Sequence, residues 1–110
     1  MNRPLHYRID GTPYTGTFNE QATAWAKDFE KKSRIIKQET LPNGIWVSTI
    51  WLGIDHSFGG EKPLIFESMA FKTKDGGEEL DIDRYSTIEE ARVGHERIVK
   101  KYARKPAVVK

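Results

Sequence analysis

Pro42-Asn43-Gly44, followed by Ile45-Trp46-Val47-Ser48-Thr49-Ile50-Trp51-Leu52-Gly53-Ile54, is the stretch on which the fold turns. The ten residues after the glycine are β-branched or aromatic nearly throughout, which suits a pleated strand. Asn-Gly is a tight-turn dipeptide because glycine tolerates positive φ, so residues 35–41 and 45–54 form an antiparallel hairpin. Strand side chains alternate. One face shows Trp46, Ser48, Ile50, Leu52 and Ile54, and the other Ile45, Val47, Thr49, Trp51 and Gly53. A strand apolar on both faces lies inside a sheet, covered on both sides or partly by a second subunit. Residues 45–54 therefore read as the spine of the sheet.

Downstream, a turn-rich loop runs from His56 to Pro63, and a second apolar strand spans residues 64–72. Lys74-Asp75-Gly76-Gly77 makes a turn. In residues 79–85, Leu80, Ile82 and Arg84 alternate with Glu79, Asp81 and Asp83, the pattern of a strand whose acids face water. Ser86-Thr87-Ile88-Glu89 has the spacing of a helix-capping box, and Ile88, Ala91, His95, Ile98 and Tyr102 share one face of a helix over 87–103. Pro106 ends it. Upstream, Asp10-Gly11 predicts a short hairpin, and Thr17 with Glu20 caps a helix over 19–32. Phe18, Ala22, Trp25 and Phe29 form that helix's apolar stripe. The expected fold is α+β: an antiparallel sheet of about four strands, a short N-terminal hairpin and two amphipathic helices, each on a sheet face. Residues 1–103 form one domain and 104–110 a basic tail.

A chain of 110 residues with 37% hydrophobic content builds one core. The absence of cysteine excludes disulfides and thiolate zinc, and fits a reducing, cytoplasmic compartment. No apolar run is long enough to cross a bilayer, and the N-terminus has no apolar stretch of the signal-peptide kind. Lys100, Lys101, Arg104, Lys105 and Lys110 have no acid among them. Without these five the net charge is negative, so the tail reads as a solvated helix end, and nucleic acid is not the expected partner.

Asp55-His56-Ser57 holds the three residue types of a nucleophilic triad, but chain neighbours point apart and do not converge. No G-x-S-x-G elbow is present. His6, His56, His95, Asp55, Glu67, Asp81 and Asp83 sit in no metal-ligand spacing, and no metal or other cofactor is expected. His95 reads as a core-edge histidine satisfied by a backbone carbonyl or a strand residue. Gly59-Gly60 leads into Pro63 and a strand, which fits a connection and not a phosphate cradle. Trp46 and Trp51 face opposite sides of the sheet, so one can be core and the other exposed. Glu67 lies in an apolar strand and needs a partner such as Arg34, Arg84 or Lys37, or else joins Asp55, His56 and the glycines in a polar site.

The stretch Trp51-Leu52-Gly53-Ile54-Asp55-His56-Ser57-Phe58-Gly59-Gly60, then Pro63-Leu64-Ile65-Phe66-Glu67-Ser68-Met69-Ala70-Phe71, resembles a group of small proteins of tailed phages, prophages and bacteria. Asp83-Arg84-Tyr85-Ser86-Thr87 and Gly94-His95-Glu96 are similar to their ending. The resemblance brings no catalytic role with it. It implies a phage or prophage setting, in which short accessory proteins bind a host or viral component. The leading expectation is a non-enzymatic protein that binds another protein, with Trp51, Asp55, His56, Phe58, Gly59, Gly60 and Glu67 as candidate binding residues. Self-association is a further partner expectation. The alternatives are a binder of a small nucleotide-like ligand at residues 55–60, and a small hydrolase using His56.

Overall fold

The computed structural model describes residues 3–104. Helix α1 (Phe18–Phe29) and a short 3-10 turn (Lys32–Arg34) lead into four strands: β1 (Ile35–Thr40), β2 (Trp46–Trp51), β3 (Phe66–Phe71) and β4 (Glu79–Tyr85). Helix α2 (Ile88–Ala103) follows. The strands form one antiparallel meander in the order β1-β2-β3-β4, so β2 is interior as its composition predicts. The chain is an α+β fold, and most of the predicted tail lies outside the described residues.

Local chemistry sets each boundary. The Gly44 amide donates to Leu41 O (2.8 Å) and the Leu41 amide to Ile45 O (2.7 Å), closing the predicted hairpin. Only Gly44 in that connection has positive φ, 90°. β2 stops before residue 54 because the Leu52 and Gly53 amides both turn to Ile65 O, a bulge with Gly53 at φ 74°. A side chain at Gly53 would run into the indoles of Trp25 and Trp51. Thr17 and Glu20 form the predicted capping box of α1. The box of α2 uses Thr87 and Glu90, one residue later than the Ser86–Glu89 spacing suggests. The N-terminal hairpin is reduced to isolated bridges, Tyr7 to Pro13 within it and His6 to Ile54 beyond it.

Each helix was expected on a sheet face; α2 lies on one, and α1 caps the end of that same side. Val47, Thr49 and Trp51 of β2, and Phe66, Ser68 and Ala70 of β3, are buried there. Ala91, His95, Ile98 and Tyr102 of α2 complete this layer. Helix α1 sits at the end of the sheet, where Phe29 meets Trp51 (6.3 Å between ring centroids) and the Trp25 indole donates to Leu52 O (2.8 Å). It buries no residue completely. The second sheet face carries Trp46 stacked on Phe71 (5.6 Å), with Ile50, Met69 and Ile82, and no helix covers it among the described residues.

The core contains a polar chain. Buried His95 places Nδ1 2.6 Å from Thr49 Oγ1 and Nε2 2.6 Å from Glu39 Oε2, while Thr49 Oγ1 lies 2.5 Å from Ser68 Oγ. A carboxylate only accepts, so Nε2 carries the proton shared with Glu39, and in a neutral ring Nδ1 accepts from Thr49. The chain joins β1, β2, β3 and α2. The predicted satisfaction of His95 by a strand residue is what the fold contains.

Asp81 and Asp83 depart from their predicted wet face. They lie on the α2 side, where Lys101 Nζ donates to Asp81 (2.9 Å) and an Arg97 guanidinium nitrogen donates to Asp83 (2.7 Å). Ile82 takes the open face instead. A bulge between Ala70 and Phe71 resets the register beside Leu80, which packs into the core.

Gly94 is a packing residue. A methyl group there would overlap the Tyr85 phenol, which lies buried against the helix. Gly94→Ala improves helix propensity by about 1 kcal/mol, yet overpacking costs about 1–3 kcal/mol. Gly94→Ala is expected to lower stability in a denaturant titration; higher stability would show that the phenol yields freely.

Candidate functional site

The loop after β2 is built from both of its flanks. The Asp55 amide donates to Leu5 O (2.9 Å) and the His56 amide to Leu64 O (3.0 Å), so the stem is held between the N-terminal segment and the start of the next strand. Asp55 then organises the turn. Its Oδ1 accepts from the Ser57 and Leu64 amides (2.8 and 3.0 Å), and its Oδ2 accepts from Arg3 (3.1 Å). Arg3 also donates to Ser57 Oγ (2.7 Å) and to Glu61 O (3.2 Å). One guanidinium thus clamps both arms of the loop.

The clamp holds a type I′ turn at the tip, closed by the Gly60 amide on Ser57 O (3.1 Å). Phe58 has φ 52° and Gly59 φ 84°. Glycine accepts this region freely, but phenylalanine does so at a cost of about 1–2 kcal/mol. Phe58 is also 90% exposed, so packing among the described residues does little to repay that cost. His56 stands beneath it, ring edge to face at 6.5 Å between centroids. The His56 Nδ1 proton is donated to Ile54 O (2.8 Å). An open cleft of about 690 Å³ lies between Arg3, Leu5, Ile54, His56 and Phe58.

The other candidates are placed elsewhere. Trp51 is core, with its indole N–H donating to Tyr7 O (3.1 Å). Glu67 stands on the open sheet face and accepts from Arg84 Nε (3.1 Å), one of the pairings its sequence position suggests. Asp55, His56, Phe58, Gly59 and Gly60 are together in the loop. Arg3, which the sequence did not single out, braces them from more than fifty residues away.

The triad reading of Asp55-His56-Ser57 finds no relay here. Ser57 Oγ accepts from Arg3, and His56 Nδ1 faces a backbone carbonyl. Among the described residues, the one cluster of metal-ligand type is Glu39, His95 and Glu96, with ligand atoms within 4.8 Å of one another. Lys37 Nζ stands among these groups, 2.8 Å from Glu96 and 3.5 Å from Glu39, and supplies the compensating charge. No helix of the described residues is long and apolar enough to cross a membrane.

Burial pushes the Asp55 carboxyl pKa up, but the Ser57 hydroxyl, the Ser57 and Leu64 amides and Arg3 outweigh it and hold the pKa below the ordinary carboxylate value. A depressed folded pKa contributes stability that is present above the unfolded value, about 3.9, and is lost as pH falls through the folded one. The Asp55 side-chain carboxyl 13C resonance should therefore titrate with its midpoint below about 4. A midpoint above about 4 would contradict the clamp.

In comparisons with known proteins, the chain matches no protein-family model, no curated protein and no solved structure.

Proposed function

We propose that the chain is a non-enzymatic binding protein of a phage or prophage setting, which docks onto another protein in the cytoplasm through residues 55–60 with Phe58 as its anchor. One observation carries this reading: an aromatic side chain is held almost wholly exposed, in a backbone conformation that disfavours it. Backbone strain of this kind persists where the surroundings over-determine it, and it clusters at functional positions. Large aromatics dominate the energetics of protein interfaces when a partner's pocket desolvates them. The Arg3–Asp55–Ser57 clamp supports the same reading, because a pre-ordered loop loses little conformational entropy on docking.

A small-ligand site draws less support from this geometry. Such sites are concave and present convergent polar groups to the ligand. Here the Asp55 oxygens and Arg3 are spent on each other and on the loop backbone. A hydrolase would need a base and a nucleophile in contact, and His56 and Ser57 each have other partners.

Capture from a host lysate, quantified against melting temperature, tests the proposal on the same proteins. Phe58→Ala should cut capture by roughly 2 kcal/mol, on the order of thirtyfold. Phe58→Gly should do the same while leaving the melting temperature within about 2 °C of the wild type, because glycine relieves the strained φ. A fall of several degrees in both variants, with capture per folded molecule retained, would show that Phe58 serves the fold and not a partner.

A further inference from the structure

The two edges of the sheet are finished differently. In an antiparallel ladder, alternate residues turn their backbone groups toward the neighbour strand and away from it. On β4 the outward residues are Ile82 and Arg84, and both amides are taken by the preceding side chains: Ile82 N–H by Asp81 Oδ1 and Arg84 N–H by Asp83 Oδ1, each 2.9 Å. Lys101 and Arg97 hold the other oxygens of those carboxylates. The edge is closed by its own side chains, a protection against strand addition.

On β1 the bond from Leu41 N–H to Ile45 O fixes the phase. Glu39, opposite Val47, and Lys37, opposite Thr49, turn inward, while Gln38 and Thr40 turn their backbone groups outward. Among the described residues nothing accepts from the outward amides of Gln38 and Thr40. The Gln38 side chain lies back on the open face, donating to Ser48 Oγ (2.9 Å).

We infer that β1 is a self-pairing edge: two copies of the chain join antiparallel through residues 37–39, centred on Gln38 and bounded by the bulge at Ile36, to give one continuous sheet of twice the width. Charge selects the occupant and the register. With Gln38 opposite Gln38 of the second copy, Lys37 of each chain stands opposite Glu39 of the other, in the close, non-hydrogen-bonded positions. Centring on Glu39 would set two glutamates side by side, and centring on Lys37 two lysines; like charges directly opposite are destabilising. Centring on Thr40 would bring Pro42, which has no N–H to donate, opposite Gln38. The Gln38-centred register therefore pairs unlike charges twice and fills the outward Gln38 amide of each copy. It also joins the two open faces, each with its Trp46–Phe71 stack, into a single surface.

The lack of cysteine makes a single introduced thiol a clean reporter. Sedimentation velocity over a wide concentration range should show the wild-type chain as a dimer. Gln38→Pro removes the outward N–H without touching the ladder to β2, and should give a monomer with an unchanged far-ultraviolet circular dichroism spectrum. Gln38→Cys sits at the two-fold axis with Cα atoms about 5.5 Å apart, within disulfide reach. Under mild oxidation it should cross-link on the order of a hundredfold faster than Ile82→Cys on the closed edge, because pairing raises the local thiol concentration. A wild-type chain that stays monomeric throughout would overturn the inference. So would a dimer in which the residue 38 thiol cross-links no faster than the residue 82 thiol, and this arm decides the matter if Gln38→Pro fails to fold.

Discussion

A hydrogen-bonded chain from the Glu39 carboxylate through the His95 imidazole to the hydroxyls of Thr49 and Ser68 crosses three strands and ties α2 to all of them. Thr49, Ser68 and His95 are fully buried, so each needs its neighbour in the chain. Leaving one such group unpaired costs about 1–3 kcal/mol, which makes the network a constraint on position more than a source of net stability. A helix displaced along the sheet would lose both ring contacts together. The apolar contacts of Ile98 favour burial without fixing where along the strands it occurs; the imidazole fixes it, and the Tyr102 hydroxyl, donating to Leu80 O (3.0 Å), agrees with it.

With α2 held there, the other features follow. Lys101 and Arg97 reach Asp81 and Asp83, and those carboxylates close the β4 edge. At the opposite edge, α2 brings Glu96 to Lys37, and among the described residues nothing covers the outward backbone of Gln38 and Thr40. Among the described residues the second sheet face receives no helix. Its aromatic stack and its Glu67–Arg84 pair stay half-buried by their neighbours alone. The asymmetry between faces and between edges thus traces to where one helix is pinned.

Much of this was legible in the sequence where the signal is local. Asn43-Gly44 marks the hairpin, the composition of residues 45–54 marks the interior strand, and Thr17 with Glu20 marks the start of α1. The start of α2 is ambiguous by one residue in the sequence because Ser86–Glu89 and Thr87–Glu90 both satisfy the capping spacing, and only the backbone decides for Thr87. Non-local matters were hidden. Helix periodicity says that a stripe is buried, but not on which sheet face, so α1 at the end of the side that α2 covers could not be read. Alternation put Asp81 and Asp83 in water, whereas pairing with Ala70 and Ser68 of β3 turned them toward α2, with Leu80 as the extra residue of the β4 bulge. Residues 55–60 are neighbours in the chain and so legible as one loop, while its brace, Arg3, and the core fate of Trp51 depend on contacts across most of the chain.

The loop joins this rigid frame to the proposed role. Its stem is hydrogen-bonded on both sides, its carboxylate is saturated, and its tip carries a strained, exposed aromatic. The proposed role requires that Phe58 be displayed by an ordered platform and not stand at the tip of a mobile loop. Backbone 15N relaxation of residues 55–60 tests it most directly. Order parameters of about 0.8, near the rigid-backbone value, are the predicted result, and values below about 0.6 would contradict it.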